Sequence, residues 1–165
     1  MELIEFNDRQ YPKYTSEGFA AQFAFPFALQ VCKGIGVDVG CGRLEWCLPR
    51  AKPIDPLLDN RFDAFYFPIW LSNLDFIFSS HCLEHLPDWV KALDYWTSRL
   101  QSGGILFLYL PHYNQEYWRP WNDRKHLHIF TAEIIRDYML ANGYKNIFWS
   151  ERDLNYSFMI YGEKI

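Results

Sequence analysis

A chain of 165 residues, half of them hydrophobic, carries enough apolar material for one domain with one core, which excludes a disordered segment. A formal net charge of -4 speaks against a protein that grips nucleic acid mainly through phosphates, since such proteins are usually basic. No apolar stretch is long enough to span a bilayer, and Met1-Glu2-Leu3-Ile4-Glu5 has no basic region leading into an apolar run. No signal peptide, no membrane contact and a cytoplasmic location are therefore expected.

Residues 1–15 are polar and aromatic and read as an irregular arm. Ser16 is placed to cap a helix, and Phe19, Phe23, Phe27 and Val31 recur every four residues, on one helical face. Pro26 predicts a kink there, or two short helices. Gly34 stops this segment, and Ile35 to Val39 reads as a buried strand running into the tight turn Gly40-Cys41-Gly42. Pro49, Pro53, Pro56 and Pro68 forbid a long helix across 43–73, where short strands are expected near Lys52–Asp55 and Ala64–Phe67. Asp75-Phe76-Ile77-Phe78-Ser79 reads as a parallel strand covered on both sides. Asp88 then caps a helix whose stripe is Trp89, Leu93, Trp96 and Leu100, ended by Gly103-Gly104. Ile105 to Leu110 is an apolar strand stopped by Pro111, and a polar, aromatic loop runs from His112 to about Ile129. Thr131 caps the last helix, with Glu133 in its first turn and Gly143 just past its end. Strands near Asn146–Trp149 and Ser157–Gly162 close the chain. This alternation predicts one α/β domain over residues 1–165, with helices on both faces of the sheet.

Ligands in such sheets sit at the carboxyl ends of the strands. The segments 40–43, 55–58, 79–85 and 111–114 each follow a predicted strand. Glycines at 40 and 42 let the backbone turn sharply and approach a ligand without a Cβ clash, although two glycines after a strand are often only a turn. Asp55, at the end of the second strand, suits two ribose hydroxyls; its plainer role is to initiate a turn beside Pro56. The 19% aromatic content fits either a small core of large side chains or a pocket wall. Four cysteines without Cys-x-x-Cys spacing read as free thiols.

Val37-Asp38-Val39-Gly40-Cys41-Gly42 resembles motif I of class I S-adenosylmethionine (SAM)-dependent methyltransferases. Ser79 to Pro87 resembles the segment after strand four in the small "type 11" group of that family, Arg99 to Leu106 its lead into strand five, and His126 to Thr131 its entry into the last helix. The resemblance covers roughly residues 35–150. It implies a doubly wound, mostly parallel Rossmann-like sheet of strand order 3-2-1-4-5-7-6, here with trimmed crossover helices. Residues 1–33 would be an N-terminal lid. The cofactor implied is SAM, leaving as S-adenosylhomocysteine. By the same resemblance Asp38 supports the methionine end, Gly40, Cys41 and Gly42 cradle it, and Asp55 binds the ribose. Pro56 or Leu57 packs on adenine, and Ser79, Ser80 and His81 face the transferable methyl. The family's third glycine is replaced by Leu44, and the stretch between strands one and four is short. A non-catalytic SAM-binding or interaction protein is therefore the main alternative, and Glu45 breaks the Gly-x-Gly-x-x-Gly of a nicotinamide-dependent oxidoreductase.

The acceptor side needs positioning and, for a hydroxyl or amine, somewhere for a proton to go. His81 and His112 follow strands four and five and are the catalytic candidates; His85, His126 and His128 read first as structural. Tyr113, Tyr117, Trp118 and Trp121 form either a pocket wall or a surface-packed loop. Cys82-x-x-His85 and His126-x-His128 have metal-like spacing but lack a convergent set of four, so no metal is expected. Ser79-Ser80-His81-Cys82 stands where DNA amino-methylating enzymes carry Pro-Pro-aromatic, and no Pro-Cys occurs. The expected partner is thus a small-molecule acceptor, not DNA.

Overall fold

Phe76 and Phe78 on one side of a strand, and Ile77 on the other, feed two separate hydrophobic clusters, so the strand that carries them lies at the centre of a two-sided core. In this computed structural model, which describes residues 2–165, that strand is β5 (Leu74–Ser80). Ahead of it come β1 (Leu3–Phe6), β2 (Arg9–Pro12), α1 (Tyr14–Glu17), α2 (Ala21–Val31), β3 (Gly36–Val39) and β4 (Lys52–Ile54). After it come α3 (Trp89–Arg99), β6 (Leu100–Pro111), α4 (Ala132–Ala141), β7 (Tyr144–Trp149) and β8 (Ser157–Lys164). The six-stranded sheet has the order β4-β3-β5-β6-β8-β7, parallel from β4 to β6 and antiparallel at β8 and β7. This is the expected α/β sheet, and its order is 3-2-1-4-5-7-6 without the outermost strand. α2 covers one face over Phe76, Phe78, Phe107 and Tyr109, and α3 and α4 cover the other over Val37, Ile77, Leu106 and Leu108. No helix among the described residues is long and apolar enough to cross a membrane, and all four cysteines are free.

The missing strand has a local cause. Ile54 O accepts from Gly40 N, so Ile54 turns its backbone groups inward to β3. Alternation then turns Pro53 outward, and proline has no N–H to offer a neighbour. The segment predicted as a strand at Ala64–Phe67 forms instead a tight turn closed by Asp63 and Tyr66, whose backbones pair with each other. α3 satisfies it from the side: Trp96 Nε1 donates to Ala64 O at 2.7 Å and Phe67 N donates to the Tyr95 hydroxyl at 2.7 Å.

Further expectations need correction. The stretch read over residues 1–15 as irregular or a short arm holds, within the described residues, an antiparallel hairpin of β1 and β2, with Asn7 and Asp8 at φ 50 and 58 in its two-residue turn. The break between the first helices falls at Gly18-Phe19, both at positive φ, rather than at Pro26, which remains inside α2. Ser16 lies inside α1, and α2 buries Ala21, Ala24 and Ala28 against the sheet while Phe27 stays 52% exposed. Small side chains let α2 approach a sheet face already filled by phenylalanines. α3 ends at Arg99, before the two glycines, because Leu100 is already extended. Asp88 caps α3 as expected, accepting from Lys91 N, whereas the Thr131 hydroxyl makes no capping bond.

Candidate active site

One carboxylate, Asp55, ties the end of β4 to the loop after β3, and another, Asp38, ties β3 to the segment before β4. Asp55 accepts from Gly42 N through one oxygen and from Leu57 N through the other, each at 2.8 Å. Asp38 accepts from Leu48 N at 2.6 Å. Between them Gly40 has φ 81, and a Cβ built there would meet Cys82 Sγ at 2.4 Å; Gly42 has φ 71, and a Cβ there would meet only the Trp46 ring, at 3.7 Å. The loop is thus pressed against the turn after β5 at Gly40 and has room for an ordinary contact at Gly42, the form of a cradle for a ligand.

Burial pushes the Asp38 carboxyl up to about 7, against the opposing pull of the Leu48 N–H and the Cys47 thiol. A carboxyl raised in the folded state binds a proton that the unfolded chain has already released, so it lowers stability as pH rises from about 4 to about 7. Asp38→Asn keeps an oxygen for Leu48 N and removes that proton. Thermal melts should therefore show the wild type falling behind the variant with rising pH across this window; parallel curves would contradict it.

At the end of β5 the structure separates the predicted residues. The Ser79 hydroxyl donates to Val39 O at 2.8 Å, a tie between strands outside both cavities described below. Ser80 is buried with its hydroxyl unpartnered and lines the first cavity. His81 has φ 48, places Nε2 3.0 Å from Ser157 Oγ and Nδ1 3.5 Å from Glu84 Oε1, and is held well below the ordinary histidine pKa by burial. His112 sits behind Trp118 and His126, with Nδ1 2.7 Å from Asn114 Oδ1, and reaches neither cavity.

Two cavities open at this edge of the sheet. The first, about 220 Å³, is lined by Asp38, Gly40, Cys41, Gly42 and Ser80, and roofed by Tyr14, Phe19, Trp46, Trp118 and His126 among others. The second, about 340 Å³, lies over the end of β4 between Asp55, Pro56 and Leu57 on one side and Phe65, Cys82 and Leu86 on the other. Gly40, His81 and His85 line both. Of the N-terminal segment, only residues from Tyr14 to Ala21 reach the cavities; the hairpin packs instead on Tyr117 and Tyr156. Sequence reasoning missed Trp46, which stacks on Phe19 at 5.5 Å, and Glu84, fully buried beside His81. Glu84 stood inside a recognised segment, but nothing in its spacing marked it as buried.

A family model described as "Methyltransferase domain" matches residues 11–147. No curated protein matches the sequence significantly. Among solved structures, a SAM-dependent methyltransferase from Thermotoga maritima, described as a possible histamine N-methyltransferase, superposes with a TM-score of 0.69 at 19% identity, covering 93% of this chain and 95% of that one. A SAM-dependent methyltransferase from Archaeoglobus fulgidus gives 0.64 at 16% identity, over 88% and 95% of the two chains. The N-methyltransferase NodS from Bradyrhizobium japonicum, solved with S-adenosylhomocysteine, gives 0.60 at 15% identity, over 92% and 88%. These likenesses share the fold. With a family model spanning most of the chain, and a glycine cradle between two carboxylates that fits the cofactor, the chain belongs to the SAM-dependent methyltransferases, and its cofactor is SAM.

Proposed function

We propose that this protein transfers the methyl group of SAM to an oxygen, nitrogen or carbon atom of a small, non-DNA acceptor. The observation that supports this reading is that two neighbouring cavities share Gly40, His81 and His85 in their lining, so an elongated cofactor lying across both would have its middle near His81. The second cavity has the chemistry for the adenosine end: Asp55 to accept from ribose hydroxyls, and Pro56, Leu57, Phe65 and Leu86 as apolar walls for adenine. The first has it for the methionine end, with the Asp38 carboxyl, the Gly40–Gly42 backbone and the free Ser80 hydroxyl. SAM held by Asp38, Asp55 and the Gly40–Gly42 backbone would supply an activated methyl on a sulfonium to a nucleophilic atom of the acceptor. The remaining work of the chain is positioning. Tyr14, Phe19, Trp118 and His126 enclose the acceptor and exclude water, and neutral His81 stands where a displaced proton would leave. His112, outside both cavities, takes no part in this assignment.

Calorimetry with SAM and S-adenosylhomocysteine tests the binding half, and transfer of label from SAM into small-molecule fractions tests the reaction. Asp55→Ala should weaken S-adenosylhomocysteine binding by about 1–3 kcal/mol through loss of a buried hydrogen-bond pair. An unchanged affinity removes Asp55 from the site. Tight binding with no acceptor labelled in any fraction favours the non-catalytic alternative.

A further inference from the structure

Behind His81 lies a group of side chains that methyl transfer as described does not use. The 3-10 turn Leu83–His85 buries Glu84 and leaves His85 half-buried beside it, and the backbone of residues 126–128 lies against the turn, with Leu127 N donating to Glu84 O at 2.7 Å. That pairing brings in His126. One ligand atom from each of Glu84, His85 and His126 lies within 4.8 Å of the other two. Glu84 is fully buried, and neither of its carboxylate oxygens has a hydrogen-bond partner. His126 is also buried, with Nδ1 unpartnered.

Such a group is costly as it stands. A buried carboxyl with no hydrogen bond, set among His81, His85 and His126 with His81 Nδ1 closest at 3.5 Å, forfeits its hydration for little in return. His85 shows what would complete it. Its Nδ1 lies 2.7 Å from Lys125 O, which places the proton on that nitrogen and leaves the Nε2 lone pair free, 3.9 Å from Glu84 Oε1. An imidazole bonded to a carbonyl through one nitrogen and open at the other is the usual arrangement of a metal-ligating histidine. Ligands about 2.1 Å from a shared zinc ion stand roughly 3.4 Å apart, so closure asks little more than side-chain rotation.

We propose that Glu84, His85 and His126 bind one divalent transition-metal ion at the inner end of the acceptor cavity. Two imidazoles and a carboxylate suit zinc, iron(II) or manganese better than magnesium or calcium, which prefer all-oxygen shells. The set differs from the metal-like spacings in the sequence: His128 Nε2 pairs with Leu86 O, and Cys82 packs against Gly40. His85 and His126 both line the first cavity, so the ion's open positions face the side where the acceptor enters. An acceptor carrying an oxygen donor, such as a hydroxyl, would fill one of them; this last step rests on the methyltransferase reading.

The full-length chain, stripped with chelator, is titrated with Zn²⁺ by calorimetry and with Co²⁺ by visible absorption, and S-adenosylhomocysteine binding is measured on the same samples. One ion per chain is expected, with a Co²⁺ spectrum of nitrogen and oxygen ligation. Glu84→Gln and His126→Gln should each weaken Zn²⁺ by about 100-fold or more, above the 10–100-fold typical of residues that only support a ligand. Circular dichroism checks that each variant is folded, and S-adenosylhomocysteine affinity in Glu84→Gln should stay within twofold of wild type. Zn²⁺ binding that is substoichiometric, or equal in folded variants and wild type, overturns the proposal. Loss of S-adenosylhomocysteine binding by the wild type with Zn²⁺ binding intact would instead overturn the methyltransferase reading and leave the metal site standing.

Discussion

Gly40→Ala should destabilise the protein by about 2–5 kcal/mol and abolish measurable SAM binding. Two costs combine. An alanine at φ 81 carries the left-handed penalty of about 1–2 kcal/mol. Its Cβ also falls 2.4 Å from Cys82 Sγ and 2.5 Å from Cys82 Cβ, an overpacking that typically costs about 1–3 kcal/mol. Because the clash includes a Cβ, Cys82→Ala does not relieve it, and the double variant should remain unable to bind. Gly42→Ala meets only Trp46, at 3.7 Å, and should show the backbone penalty alone. Denaturant melts and calorimetry with S-adenosylhomocysteine check all three. Equal losses at 40 and 42 would show that the close approach to Cys82 contributes nothing.

Trp96→Ala should cost about 3–5 kcal/mol, the range for emptying a fully buried aromatic site. Trp96→Phe is the more telling variant. It keeps most of the ring and leaves Ala64 O without the donor it has at 2.7 Å, for a cost of about 1–3 kcal/mol. The effect should be local. Asp63, Ala64 and Phe65 wall the second cavity, so faster hydrogen exchange at residues 63–67 should accompany weaker S-adenosylhomocysteine binding. A variant that loses stability without either change would mean that the bond anchors nothing at the cofactor.

Where a residue type dictated its own surroundings, the chain was legible. The apolar runs of β5 and β6, the Asp88 cap and the tight turn at glycines 40 and 42 all have local causes and were readable, although β6 begins earlier than read, at Leu100. Residues whose role depends on a distant partner were not. The hairpin turn uses Asn7-Asp8, which lacks the glycine that usually betrays such a turn. The phenylalanine spacing in α2 is genuine, but the helix packs through Ala21, Ala24 and Ala28 because the opposing sheet supplies the bulk. Ala64–Phe67 has strand-like composition, yet Trp96 and Tyr95, about thirty residues on, take its backbone bonds. At the site, the turn role of Asp55 beside Pro56 was readable, whereas its bond to Gly42 N and the inward turn of Glu84 toward His126 needed the fold.

Pro53 has a consequence beyond the lost strand. The margin of a sheet is a row of free donors and acceptors on which another chain can grow. Here one margin is a three-residue strand whose outward-facing position offers no donor. The other, β7, shifts register between Lys145 and Phe148, with Asn146 at φ 50 between them, so its ladder is broken midway. Both flanks of the six-stranded sheet are thereby blunted against edge-to-edge polymerisation.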